Sequence, residues 1–323
     1  MRVTNTGLIS TQIYQTQRNL QRMGKLNEQL NTGKEINRVS DDPYKARRIM
    51  GLKNEIAYTE KYNENIDEIS GWLDNTDATL DKTGMILNDF KESILQVGNG
   101  AYSETEMKSI AKEMDEKVKQ LGDVLNNAYG DKYLMAGTEL EEPPIIINEG
   151  PPTQLEINPN IRPEDLQARL NIEISENINV DYSFSVDDIL GIERDANGNI
   201  TSNGFLDTIN NISTTMNDIA NGVDVEENKN KLLFNDDSLK TELDDFFNYT
   251  VNIRTEVGTN MEKLEKVKDL NENNLLEMEK LLSVNQDTDY AEKLVEYSTS
   301  QMIYQASLKV SSKLIQPTLM DFI

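Results

Sequence analysis

Rows of residues spaced seven apart dominate this chain. Leu52, Thr59, Ile66, Leu73, Leu80, Leu87 and Ile94 form one row, and Ile69, Thr76, Thr83, Phe90 and Val97 a second. Together they make a 3-4 heptad pattern over more than five heptads, the spacing of a helix with a continuous seam. At about 1.5 Å per residue, residues 43–97 would run for about 80 Å. A helix that long cannot bury itself and needs partner helices. The second half of the chain repeats the plan. Thr250, Val257, Leu264, Asn271 and Met278 are seven apart, as are Phe246, Ile253, Asn260, Val267, Asn274 and Leu281. Asparagines on such a seam lower stability but can fix register.

Shorter patterns flank these rows. Ile9, Ile13, Leu20, Met23 and Leu30 make an amphipathic stripe, with Gly33 as its stop. Ser40-Asp41-Asp42-Pro43 follows: Asp42 is placed to cap the next helix and Pro43 to take its first position. Ser103 with Glu106 is a capping box, opening a helix through Met107, Met114, Val118, Leu121 and Leu125. Asp287 or Thr288 is placed to cap a last helix, which carries Leu294, Tyr297, Met302, Ile303, Tyr304, Leu308, Val310, Leu314 and Ile315 and stops at Pro317.

The middle differs in kind. Six of the eight prolines lie between Pro143 and Pro163. From Leu170 to Val186 apolar residues alternate with polar ones, which predicts half-buried antiparallel strands. Asn197-Gly198 predicts a turn, and a helix is expected near Phe205 to Ile219. The predicted fold is mainly α: a long antiparallel helical bundle or coiled coil of N- and C-terminal flanks, with a small β-containing inserted domain. The expected divisions are 1–42, a helical arm over 43–137, the insert over 138–237, a second arm over 238–286, and a last helix over 287–323. The insert reads as a separate, solvated module. The terminal stripes lie outside both long seams. They can pack on the same bundle or pair mainly with other copies of the chain.

Composition narrows the chemistry. With no cysteine and no histidine, disulfides, thiolate nucleophiles, Cys/His zinc sites and imidazole catalysis are excluded. Adjacent carboxylates such as Asp187-Asp188 are expected in a chain of formal charge −25, and no aromatic platform accompanies them. Asp195, Asn197 and Asn199 begin like a calcium loop, but Ile200 stands where glycine is needed and Leu206 where the closing glutamate belongs. No catalytic, cofactor or metal site is therefore expected. Residues 1–53 hold ten Lys and Arg against four Asp and Glu, a net of +6. Residues 138–245 hold six against twenty-four, a net of −18. The basic residues lack aromatic interleaving, so nucleic acid is not the expected partner, and the acidic middle reads as solvated surface. No apolar run has the roughly 20 residues of a membrane span.

Several of these motifs carry a resemblance. Asn31-Thr32-Gly33-Lys34, Ile36-Asn37 and Ser40-Asp41-Asp42-Pro43 resemble the N-terminal signature of the hook-associated protein 3 family in the flagellin superfamily. Flagellins are similar here but typically carry alanines and glycine after the two aspartates. Tyr133 to Thr138 resembles that family's short strand after the second helix. Arg254, Val257-Gly258 and Asn260 resemble its later long helix, and Gln305-Ala306-Ser307-Leu308 with Leu319 to Ile323 its C-terminus. Met135, where an aromatic is common, and Pro317-Thr318 depart from the pattern.

The resemblance implies an extracellular structural subunit of the bacterial flagellum, exported without a cleaved signal peptide. Its implied partners are further copies in a ring or tube, hook-associated protein 1, flagellin and an export chaperone. The expected assembly interface is Ile9, Ile13, Leu20, Met23, Leu30, Leu294, Tyr297, Met302, Tyr304, Leu308, Leu314 and Ile315. Gly33, Ser40, Asp41, Asp42 and Pro43 form the motif and cap. A flagellin-type filament subunit is the nearest alternative, and a cytosolic coiled-coil adaptor or signalling rod an alternative of another class.

Overall fold

A computed structural model describes residues 5–99, 102–195, 199–233 and 238–315, without the side chains of 5–6, 99 and 313–315. The predicted turn at Asn197-Gly198, the stop at Pro317 and the final motif lie outside the described residues. The elements in order are α1 (Asn5–Thr32), α2 (Pro43–Asn99), α3 (Glu104–Leu125), β1 (Ala128–Tyr129), β2 (Lys132–Tyr133), β3 (Ile145–Asn148), β4 (Gln154–Ile157), α4 (Pro163–Gln167), β5 (Asn171–Ser175), β6 (Ile178–Asp181), α5 (Val186–Leu190), β7 (Glu193–Arg194), β8 (Ile200–Ser202), α6 (Phe205–Ala220), α7 (Val225–Leu233), α8 (Leu239–Gln286) and α9 (Tyr290–Ile315). The chain is mainly α, with a small strand-containing middle, as predicted. It divides into two compact units, Met1–Glu60 with Glu272–Ile323, and Lys61–Asn271.

In the unit of residues 61–271 the heptad rows of α2 are the core. Ile66, Leu73, Leu80, Leu87, Ile94, Ile69, Phe90 and Val97 are almost wholly buried. Thr76 and Thr83 share the seam, and each returns its hydroxyl proton to the carbonyl four residues back. Buried hydroxyls are thus satisfied without a partner chain. Polar links on the flank of the seam fix the direction of α8. Lys91 pairs with Asp244, Arg254 with Asp77 and Asp81, and Lys268 with Asp67. The numbers fall on one helix as they rise on the other, so α2 and α8 are antiparallel. Asn271 is buried on the seam and donates to Asn63 Oδ1 and to the Ile174 carbonyl. Here the seam asparagine fixes register by bonding, while Asn274 is exposed.

The middle segment forms four separate antiparallel hairpins, β1–β2, β3–β4, β5–β6 and β7–β8. The alternating stretch becomes β5–β6, paired Ile172 with Val180. The predicted helix near 205–219 is α6. The strand that the resemblance places at 133–138 is confined to Lys132–Tyr133. Leu134, Met135 and Ala136 run buried beyond it to Gly137, whose φ is +70°. A Cβ there would stand 2.1 Å from the Asp165 carbonyl oxygen, so only glycine fits.

The expectation of a separate insert is corrected on one point. Most of the described apolar core of residues 138–237 is shared with the helices, and only Ile161 and Leu166, with Ala136, form a small cluster apart. Ile145, Leu155, Ile174, Phe184, Ile189 and Ile209 belong to one apolar cluster with Leu73, Phe90, Leu121 and Phe246. Phe205 of α6 stacks on Phe246 of α8 at 4.6 Å. Asp115 of α3 accepts from the Thr153 amide, the Ser213 hydroxyl and the Asn217 amide group. Segments this short bury too little to stand alone and use the helices as their floor.

Candidate assembly surface

The unit of residues 1–60 and 272–323 holds the terminal helices. Thr32 ends α1, and Gly33 turns the chain with φ +70°. Past it, a latch joins two connections distant in sequence. Lys34 and Asp287 form an antiparallel bridge, the Glu35 amide donates to the Gln286 carbonyl, and the Thr288 amide donates to the Gly33 carbonyl. The side chain of Gln29 donates to the Glu35 carbonyl.

The motif residues build the turn that follows. Asp41 accepts from the Asn37 and Arg38 amides and pairs with Lys25 at 3.1 Å. Lys25 and these amides hold its carboxyl below the usual carboxylate value. Asp42 accepts from the Tyr44 and Lys45 amides at 3.0 Å, which makes it the cap of α2, with Pro43 first in the helix. Ser40 is exposed in the turn. Lys45 reaches back to Glu35 at 2.9 Å, and that carboxylate raises its pKa.

The last helix is capped one residue later than predicted. Asp289 accepts from the Ala291 and Glu292 amides and α9 starts at Tyr290. Asp287 instead receives the Ser283 hydroxyl, while the Thr288 hydroxyl is buried without a partner. Three residues in a row had cap chemistry, and the backbone latch decided which one stands at the helix start.

Helices α1 and α9 pack against each other, antiparallel: Gln12 donates to the Ser307 carbonyl, and Arg22 lies 4.0 Å from Glu296. The less exposed residues of α1 include Ile9, Gln12, Thr16, Asn19, Met23, Leu26 and Leu30, which follow heptad spacing, with Gln29 buried beside them. On α9 they include Lys293, Glu296, Tyr297, Ser300, Tyr304 and Ser307. The covered side of this pair is therefore mixed: Ile9, Met23, Leu26 and Leu30 alternate with Gln12, Thr16 and Asn19, facing a more polar side of α9.

The large apolar residues lie beside it. Leu8, Ile13 and Leu20 on α1 are about half exposed, as are Leu294, Val295, Met302, Ile303, Leu308 and Val310 on α9. Of the twelve residues expected at the interface, Ile9, Met23, Leu30, Tyr297 and Tyr304 are partly covered within the chain, and Ile13, Leu20, Leu294, Met302 and Leu308 are exposed. The side chains of Leu314 and Ile315 lie outside the described residues. Leu8 and Val295 were missed. Each sits next to a chosen stripe residue, and a wider apolar arc would have included both.

No described helix is long and apolar enough to cross a membrane. Among the described residues no group of three or more acidic side chains could hold a metal ion. In this unit the exposed apolar faces of α1 and α9 are a candidate binding surface.

Comparison with known proteins shows what the chain resembles. Residues 4–139 match the family model of the bacterial flagellin N-terminal helical region. Over that stretch the chain is similar to flagellar structural proteins of the flagellin kind. The particular likeness is to flagellar hook-associated protein 3. That protein of Escherichia coli K12 is 23% identical over 297 residues, 88% of this chain and 88% of the relative. Its counterpart in Salmonella typhimurium LT2 is 27% identical over 121 residues, only 37% of this chain and 38% of that relative's length. The crystal structure of flagellar hook associated protein-3 from Legionella pneumophila shares the fold, with a TM-score of 0.57 at 13% identity over 73% of this chain and 98% of that one. The resemblance read in the sequence is borne out.

Proposed function

We propose that this chain is the adaptor between hook and filament of a bacterial flagellum, with hook-associated protein 1 on one side and flagellin on the other. It self-associates in a ring or tube through the exposed faces of its terminal helices, and leaves the cell uncleaved with the help of an export chaperone. Residues 1–42 and 287–323 carry the assembly function, and the acidic middle supplies solvated outer surface. One observation carries this reading: α1 and α9 cover a mixed seam between them and still leave large apolar residues such as Ile13, Leu20, Leu294 and Leu308 about half exposed. In a finished monomer that arrangement leaves apolar surface in water, at about 25 cal/mol per Å². Contact with neighbouring copies covers it.

Labelled antibody on intact flagella tests the proposal. A point of label at the hook–filament boundary is expected. Label along the whole filament would instead identify a filament subunit, and label confined to the cytosol would leave a coiled-coil adaptor.

A further inference from the structure

Without cysteine, the sulfur chemistry of this chain belongs to methionine, and the described methionines divide by exposure. Met107, Met114, Met135 and Met216 are buried, and Met23, Met261 and Met278 are partly covered. Met50, Met85 and Met302 are open to water, at 53, 60 and 62% exposure.

The three differ in their surroundings. Met50 is flanked along α2 by Arg47, Arg48 and Lys53, all exposed. Met85, in the unit of residues 61–271, lines a groove with Lys82, Gln120 and Asp123. Met302 stands on α9 in an apolar strip. Val295 precedes it by seven positions, and Ile303 and Val310 run beside it at the same spacing. All four are about half exposed or more. At about 100° per residue, the covered residues Glu296, Ser300, Tyr304 and Ser307 fall on the side of the helix away from Met302. Met302 is therefore central to the outward face of α9.

A peroxide converts a methionine thioether without a cofactor. The sulfur lone pair attacks one oxygen of hydrogen peroxide. An S–O bond forms, the O–O bond breaks, and the other oxygen leaves as water with the two protons. Sulfur is oxidised by two electrons, which reduce the peroxide. The product is a sulfoxide, polar and with a strong acceptor oxygen, so burying it against apolar side chains is unfavourable.

From the exposure of Met302 and its place at the centre of an apolar face, we infer that it is a sulfoxidation site for peroxides, and that its sulfoxide closes this face of α9 to apolar partners. The first half needs only the free chain; the second rests on the assembly reading proposed above. Contact with a neighbouring copy shields the thioether, so the site is open before assembly and closed after it.

The full-length monomer is treated with hydrogen peroxide and digested, and each methionine peptide is read by mass spectrometry for a gain of one oxygen. Met302 is expected to oxidise at least about tenfold faster than Met114 and Met135. A rate no faster than theirs overturns the site. For the second half, cells lacking the chain are supplied with Met302→Leu, which conserves an apolar side chain, or Met302→Gln, which stands in for the sulfoxide oxygen. Both variants should keep the helical circular dichroism of the parent. Filaments are expected with Met302→Leu and lost with Met302→Gln. Equal filament numbers overturn the closure of the face, and loss with both does so too, because size and not polarity would then decide. If the parent chain itself supports no filaments, the assembly reading falls and the closure with it, while the mass spectrum still decides the oxidation site.

Discussion

Helix α2 in the unit of residues 61–271 and the α1–α9 pair in the other unit share one spacing and differ in what occupies it. Along α2 the seam holds Ile66, Leu73, Leu80, Leu87 and Ile94, each nearly inaccessible to water. Along α1 the same three-and-four spacing holds Gln12, Thr16 and Asn19 between Ile9 at one end and Met23, Leu26 and Leu30 at the other, mostly only partly covered, with Ser300 and Ser307 on the covered side of α9. Heptad spacing decides which residues can face a partner helix. Residue type decides whether that partner suffices. The first region spends its apolar surface internally and is complete. The second keeps Ile13, Leu20, Leu294 and Leu308 on the outside, half exposed.

Four measurements break or sharpen this contrast. The largest effect is expected on deleting residues 138–237. Because Ile174, Phe184 and Ile209 share a core with Leu73 and Phe90, the deletion should open that core, and the far-ultraviolet signal and the cooperative unfolding of the helices should both be lost. A helical remnant that still unfolds cooperatively would restore the insert as an independent module. Next comes Phe90→Ala, at a site with no exposure, which should cost about 3–5 kcal/mol in denaturant unfolding. A loss below 1 kcal/mol would mean that the seam is not the core. Asp42→Ala removes two amide acceptors at the start of α2 and should cost about 1 kcal/mol; Asp42→Asn should recover most of it. The smallest change in stability belongs to Leu308→Asp. At 47% exposure it should leave the monomer within about 0.5 kcal/mol of the parent. The same variant should fail to enter the flagellum, and flagellin should escape into the medium. Destabilisation of the monomer with normal incorporation would place Leu308 in an intramolecular core and sink the contrast.

The sequence disclosed those elements whose chemistry is local or periodic. The rows of α2 and α8 were legible because large apolar residues repeat over many turns. Ser103 with Glu106 was legible because a capping box is self-contained, and both of its bonds are present. The β5–β6 hairpin showed in its alternation. Strands β3 and β4 did not: they sit among prolines, and their stability comes from α3 and α6 beneath them, which no local pattern reveals. The α1–α9 pairing was hidden for the opposite reason. A search for apolar stripes selects Ile9, Ile13, Leu20, Met23 and Leu30; Ile9, Met23 and Leu30 lie on the covered row, which in its middle runs through Gln12 and Asn19 instead of Ile13 and Leu20. The register there is set by the bridge at Lys34 and Asp287, which depends on residues at opposite ends of the chain.

That bridge also orders events in time. Helix α1 leaves the ribosome well before α9, so all the elements between them are made before the two can meet. Until then α1 is a lone helix of 28 residues with a weakly apolar face, poorly stable in water by itself. Closing so long a loop adds an entropic cost that grows only with the logarithm of its length. The pairing of α1 with α9 is thus a contact of very long sequence separation, open to form only once α9 has emerged.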